Sequence, residues 1–216
     1  EDFKLEITPS GYRLGETWDG EAAVDKQGRI LDTPFDPAQA AAHRTVGFMA
    51  GNRDFLVGRD LLNRCGLMAL ADPTVINAWG HRVLLTHGDA LCVADETYMA
   101  FRKEVRAVAW RERFLAQPLA QREQAARTMR DASEARKRAQ HPEQWADVDV
   151  AMAVAWLHQA GSGDMVHGHT HRPGSEVLAP GFTRHVLSDW DADQEPRRGE
   201  ALRLTRDGFK RVLLPL

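Results

Sequence analysis

Met165-Val166-His167-Gly168-His169-Thr170-His171-Arg172-Pro173 places three histidines within five residues, directly after a short apolar run. Neutral imidazole is the commonest metal ligand. Gly168 is expected to release the backbone from strand geometry, so that His169 and His171 converge on one site. A polar loop with solvated histidines is the competing reading, because histidine-rich tracts are only compositional signals.

Two other stretches bear on that choice. The apolar run Thr45-Val46-Gly47-Phe48-Met49-Ala50 has strand length and ends in Gly51-Asn52-Arg53-Asp54-Phe55. Open α/β sheets bind ligands at the carboxyl ends of their strands, and Asn52 offers a neutral oxygen there while Arg53 offers a planar fork for phosphate. A plain turn capping a helix over 59–64 accounts for the same residues. Next, Arg82-Val83-Leu84-Leu85-Thr86 reads as a strand that delivers His87-Gly88-Asp89. Three strand ends thus carry Asn, His and a His pair. Asn52, His87, His169 and His171 form a mixed oxygen and nitrogen set that suits manganese, iron or zinc better than calcium or magnesium. The reaction such a centre supports, with arginine nearby, is hydrolysis at phosphorus.

The rest of the 216-residue chain frames these motifs. Its composition, 43% hydrophobic and 27% charged, is that of a soluble globular protein, long enough for one core with an insertion. A net charge of −3 gives no footprint for nucleic acid. Cys65 and Cys92 lie beside apolar residues and read as buried free thiols in a reducing compartment. No apolar run approaches the length that spans a bilayer.

Short strands are expected at 5–7 and 29–31, a short helix at 38–43, and strands at 67–70 and 74–78 with a turn at Gly80-His81. A helical tract over 95–116 ends before Pro118; helices over 119–140 and 145–160 follow. The middle one carries Arg122, Arg127, Arg130, Arg136, Lys137 and Arg138, with mostly alanine as its apolar content. It is either a solvated helix interlaced with Glu123, Asp131 and Glu134, or a lid whose basic surface faces an anionic ligand. Strands at 176–178, 183–190, 201–205 and 209–214 close the chain, and Trp190 reads as packing.

Gly51-Asn52-Arg53-Asp54-Phe55-Leu56-Val57-Gly58, His87-Gly88-Asp89-Ala90-Leu91-Cys92 and His167-Gly168-His169-Thr170-His171-Arg172-Pro173 resemble the motifs of calcineurin-like metallophosphoesterases. More closely they resemble the UDP-2,3-diacylglucosamine pyrophosphohydrolase family of lipid A biosynthesis, from about residue 45 onward. The resemblance implies a four-layer α/β/β/α core formed by 45–93 and 161–216, with a helical lid inserted at 94–160. It implies two divalent metals per chain, usually Mn2+. Asn52, His87 and His169 match ligands of the second, and His171 a ligand of the first. Arg53, Asp95, Tyr98, Ser133 and Lys137 match positions that contact substrate. The implied reaction splits the pyrophosphate of UDP-2,3-diacylglucosamine into UMP and 2,3-diacylglucosamine 1-phosphate (lipid X), in a cytoplasmic protein peripheral to the inner membrane. The family also begins with an Asp-x-His strand and a Gly-Asp strand; residues 1–44 hold no Asp-x-His, and Leu14-Gly15-Glu16 is the nearest match to the second. Residues 1–44 are therefore expected to be a divergent or truncated segment with fewer metals bound. Another calcineurin-like phosphoesterase, or a catalytically impaired metal- or ligand-binding relative, fits the same motifs.

Overall fold

The β-branched run Thr74-Val75-Ile76 and the aliphatic run Val83-Leu84-Leu85 pair antiparallel, Val75 facing Leu84 and Ile76 facing Val83, because each is flanked by turn residues and buries side chains on both faces, Thr74 and Val75 in one and Val83 and Leu84 in the other. In the computed structural model they are strands β5 (Thr74–Ala78) and β6 (His81–Thr86) of a mixed sheet. The structure describes residues 4–6, 13–15, 45–139, 147–191, 193 and 195–214. These fall into two units, Glu1–Gly88 with Val150–Leu216, and Asp89–Asp149.

In the first unit the other strands are β1 (Lys4–Glu6), β2 (Arg13–Gly15), β3 (Val46–Met49), β4 (Leu67–Leu70), β7 (Asp164–His167), β8 (Gly174–Ala179), β9 (Phe182–Val186), β10 (Glu200–Thr205) and β11 (Gly208–Leu213). The main sheet has seven strands in the order β2-β1-β5-β6-β7-β9-β8. Within it β6, β7 and β9 are mutually parallel. Their carboxyl ends therefore lie side by side, and a parallel β3–β4 pair adds two more such ends. Arg13–Gly15, which overlaps the Leu14-Gly15-Glu16 match, pairs antiparallel with β1; the strand expected at 29–31 and the helix at 38–43 lie outside the described residues.

Val83, Leu157 and Met165 are fully buried, and burying such side chains stabilises by roughly 2 kcal/mol each. Leu157 comes from α5 (Val150–Ala160), which inserts Ala153 and Leu157, one turn apart, into the core. The β10–β11 hairpin is stitched to the main sheet by Arg211, whose Nη2 donates to the carbonyls of Gly174 (2.6 Å) and Val186 (2.8 Å), while Nη1 pairs with Glu200. A second tie crosses three strands: the His185 ring meets Ser175 Oγ at 2.8 Å and Asp164 Oδ1 at 3.1 Å. A short helix α1 (Arg59–Arg64) follows the Asn-Arg-Asp turn, and Cys65 at its end is a half-buried free thiol, whereas Cys92 is buried.

The second unit is helical: a turn at Asp89–Leu91, then α2 (Glu96–Val105), α3 (Val108–Leu115) and α4 (Leu119–Ala139). The single tract expected over 95–116 is two helices. Ala107 between them is extended (ψ 134°), and the redirected second helix buries Phe114, with Trp110 stacked on it at 4.8 Å, while Val108 is left outside. The strand expected to reach residue 190 stops at Val186, and Trp190 is 62% exposed rather than packed. Among the described residues no helix is long and apolar enough to cross a membrane.

Candidate active site

His87 follows β6, His169 follows β7 and Asn52 follows β3, so three neighbouring strand ends deliver them. The backbone continues the ladder past the strands: Gly168 N donates to His87 O at 3.2 Å, and Leu187 N to His167 O at 2.7 Å. His87 Nε2 lies 3.2 Å from Asn52 Oδ1 and 3.2 Å from Asn52 N. The His87 and His169 rings stand edge to face at 5.1 Å between centroids. Two imidazoles and one amide oxygen thus share one locus.

Several features hold that geometry. Gly51 is buried against the imidazole, and a Cβ there would meet His87 Cε1 at 2.7 Å, so only glycine lets the ring approach the strand end. Its N–H donates to the Asp54 carboxylate, which closes the turn. Gly88 has φ +100°, and a Cβ would come to 3.0 Å from Nδ1 of the buried His167. On the other flank Asp72 Oδ1 accepts from Thr86 Oγ1 at 2.5 Å and from His87 N at 3.2 Å, while Gly88 N donates to Thr86 Oγ1 at 3.2 Å. Asp72 thereby fixes the backbone on which His87 sits.

Gly168 was expected to supply the special conformation in the histidine cluster. It does not: the left-handed residues are His169 (φ 65°) and His171 (φ 53°). Thr170 N donates to Gly168 O at 2.7 Å, a three-residue turn with His169 at its centre. A non-glycine residue at positive φ costs on the order of 1–3 kcal/mol and persists only where its surroundings hold it. The strain sits on the two histidines expected from the sequence to be ligands, His169 and His171.

His171 meets Asp189, Nδ1 to Oδ2 at 3.6 Å, and its side chain is half exposed. Asp189 in turn accepts from Arg198 Nη2 at 3.0 Å, which with the nearby charges outweighs partial burial and holds its carboxyl below the usual range. Arg53 is exposed beside Asn52. Among the described residues no three of His, Cys, Asp and Glu gather to hold a metal; the group that forms is completed by the Asn52 amide. Its donors are two imidazoles and a neutral oxygen, chemistry that accepts a first-row divalent ion.

In the helical unit Asp95 caps α2, its Oδ1 accepting from Tyr98 N at 2.9 Å. Tyr98 hydroxyl donates to Asp89 Oδ2 at 2.6 Å, and the same oxygen accepts from Arg102 Nε at 2.9 Å and Arg106 Nη2 at 3.2 Å. Asp89 is completely buried. Burial alone would raise its pKa, but the hydrogen bonds from Tyr98 and Arg102 and the two guanidinium charges win, and the pKa is lowered. Burial and the bond to Asp89 push the Tyr98 phenol far up. Ser133 is half-buried on α4; Lys137 lies on the same helix, its side chain outside the described residues. Along α4, Ala120, Gln121, Gln124, Ala125, Thr128 and Met129 line a mostly apolar groove of about 560 Å³.

The roles of Asp72, Asp89 and Asp189 are not signalled by the sequence around them. Asp-Pro before a strand and the Asp of His-Gly-Asp are visible as motifs, yet nothing in their local pattern names the partners they hold.

No protein-family model matches the chain. It is 40% identical over 208 residues to the protein named UDP-2,3-diacylglucosamine hydrolase of Xanthomonas oryzae pv. oryzae (strain PXO99A), covering 91% of this chain and 82% of that one. Its counterpart in Xanthomonas axonopodis pv. citri (strain 306) is 41% identical over the same shares, and that of Stenotrophomonas maltophilia (strain K279a) is 39% identical over 92% of this chain and 82% of its own. With the strand-end Asn and His residues on a mixed α/β frame, identity of this extent means that the chain belongs to the UDP-2,3-diacylglucosamine hydrolases, a family of calcineurin-like metallophosphoesterases.

Proposed function

We infer that this protein hydrolyses the pyrophosphate bond of UDP-2,3-diacylglucosamine, releasing UMP and 2,3-diacylglucosamine 1-phosphate. The observation that carries the reading is the convergence of Asn52, His87 and His169 at adjacent strand ends in a chain about 40% identical to hydrolases of that name. Asn52 Oδ1, His87 Nε2 and His169 would hold one divalent ion, Mn2+ by preference, and His171 would serve a second. When bound, such ions supply Lewis acidity toward the phosphoryl oxygens and toward water, the nucleophile that hydrolysis requires.

The chain's own groups do the remaining work. Arg53, next to Asn52, is placed in sequence to pair with phosphate oxygens through its fork. Asp95 and Tyr98 would contact the substrate at the start of the lid, and Ser133 and Lys137 further along it. The segment 119–139 holds six basic residues against three acidic ones, which suits a diphosphate, and the apolar groove on α4 suits acyl chains. A substrate of that kind brings the protein to an inner-membrane surface on the cytoplasmic side.

The test is release of UMP from UDP-2,3-diacylglucosamine by the purified protein with Mn2+, compared with protein dialysed against chelator and with a generic aryl phosphodiester as competing substrate. UMP released only in the metal-loaded sample, with the aryl ester slow, supports the reading. Faster cleavage of the aryl ester would assign a different phosphoesterase activity, and metal binding without turnover an impaired relative.

A further inference from the structure

The phenol of Tyr98 has one proton, and its bond partner decides what it can offer a ligand. Asp89 Oδ2 accepts from Arg102 Nε at 2.9 Å and Arg106 Nη2 at 3.2 Å, groups that only donate, so at 2.6 Å the Tyr98 phenol is a third donor to an oxygen already acting as acceptor. These three side chains stand at positions 98, 102 and 106, successive turns along one face that runs from α2 into its C-cap. The carboxylate is fully buried, so water does not compete for that proton.

We propose that Asp89 is a positioning residue that accepts the hydrogen bond of the Tyr98 hydroxyl and thereby sets the specificity of Tyr98: toward the substrate its oxygen acts as a hydrogen-bond acceptor. The group recognised there is a donor, a sugar hydroxyl or an N–H, and not a phosphate oxygen. Tyr98 is likewise no proton donor to the leaving group. A phenol aimed at phosphate would need the O–H that is already donated to Asp89. The inference rests on reading Tyr98 as ligand-facing, and it extends that reading to the sign of the hydrogen bond.

The experiment measures binding of UDP-2,3-diacylglucosamine by calorimetry, together with kcat and KM for UMP release, in wild type, Tyr98→Phe, Asp89→Asn and the double variant. Analogues lacking one donor each, by N3-methylation of the uracil or deoxygenation of one ribose or glucosamine hydroxyl, are measured on wild type and Tyr98→Phe. Each single variant is expected to weaken binding and raise KM by roughly three- to tenfold with kcat within about twofold, the effect of one hydrogen bond. Asp89→Asn is expected to add little once Tyr98 is Phe. One analogue loses affinity on wild type and none further on Tyr98→Phe. Additive effects in the double variant, a matched fall in kcat, or no analogue whose loss depends on Tyr98 would overturn the proposal. Should Asp89→Asn not fold, Tyr98→Phe with the analogues decides alone. Wild type that binds the substrate with this donor dependence but releases no UMP would refute the proposed activity and leave the Tyr98 inference standing.

Discussion

At the strand ends, Asn52, His87 and His169 are brought together by backbone: parallel ladders that continue one residue past β6 and β7, and a glycine at 51 that lets an imidazole lie against the chain. In the helical unit, Tyr98, Arg102 and Arg106 are gathered by a single buried carboxylate. The first arrangement tolerates no added atom; the second tolerates no lost charge. A strand end positions its side chains to within the reach of the pleat, whereas a helix face needs something to grip it from outside.

The largest effect follows from adding one methyl group at the first region. Gly51→Ala drives a Cβ into His87 Cε1 at 2.7 Å, and the contact is with a ring packed on the chain. We expect the His87–Asn52 pairing to open, Mn2+ affinity to fall on the order of 10- to 100-fold and hydrolysis with it, while α2 to α4 keep their helical circular dichroism. Calorimetric metal titration checks the first, and wild-type affinity in the variant would show that His87 takes no part in the metal site.

Removing a charge breaks the second region instead. Asp89→Asn leaves two guanidinium groups beside a neutral side chain, and losing one partner of a buried ion pair costs about 3 kcal/mol or more. The pH dependence has a definite sign. Because the folded pKa of Asp89 is lowered, its contribution is complete above the unfolded carboxylate value of about 3.9 and is lost as pH falls from there through the folded value. Urea melts of wild type and Asp89→Asn should therefore differ at pH 7 and converge as the pH drops below about 4. A constant difference down to pH 2 would mean that the ionised carboxylate is not what grips the helix.

The same contrast governs what the sequence could reveal. Strand ends carrying Asn, His and His-x-His were legible because β-period runs and the glycines after them are local signals, and β4, β5, β6 and α1 fall where those signals put them. The buried clamp was not. Asp89 follows His87 by two residues, but its partners lie 9, 13 and 17 residues on, and no local pattern says that a helix one turn after another will turn the same face to it. The break at Ala107 is silent in the sequence for a related reason: it contains neither Gly nor Pro, and it is burial of Phe114 that rewards it. In the histidine cluster the expected glycine is ordinary and the histidines carry the strain, because parallel pairing of β6 and β7 holds Gly168 to the ladder and leaves the turn to its neighbours.

A smaller effect tests whether backbone conformation matters at the strand end apart from contact. Gly88→Ala meets a Cβ contact of 3.0 Å with His167 and a φ of +100° that alanine adopts poorly. The expected loss is about 1–3 kcal/mol, read as a lower urea midpoint, with metal affinity reduced less than in Gly51→Ala because the displaced ring is His167 and not His87. Equal losses of affinity in the two variants would make the strand end one rigid body and erase the distinction drawn between them.

The smallest effect concerns charge that is exposed. On α4, Arg127 Nη2 lies 3.7 Å from Glu123 Oε2, one turn apart, with the side chains 68% and 56% exposed. An i,i+4 pair of this kind stabilises by about 0.3–0.5 kcal/mol at low salt and less as salt rises. Glu123→Gln should therefore shift the melting temperature by only about 1 °C, and the shift should vanish in 1 M NaCl. That outcome would separate the two uses of charge in one helical unit: Asp89 holds structure because it is buried and ion-paired, whereas the basic surplus of α4 leaves the fold almost indifferent and so remains free to meet an anionic substrate. A loss comparable to Asp89→Asn would instead assign the α4 charges a structural role and remove the reason to read them as facing a ligand.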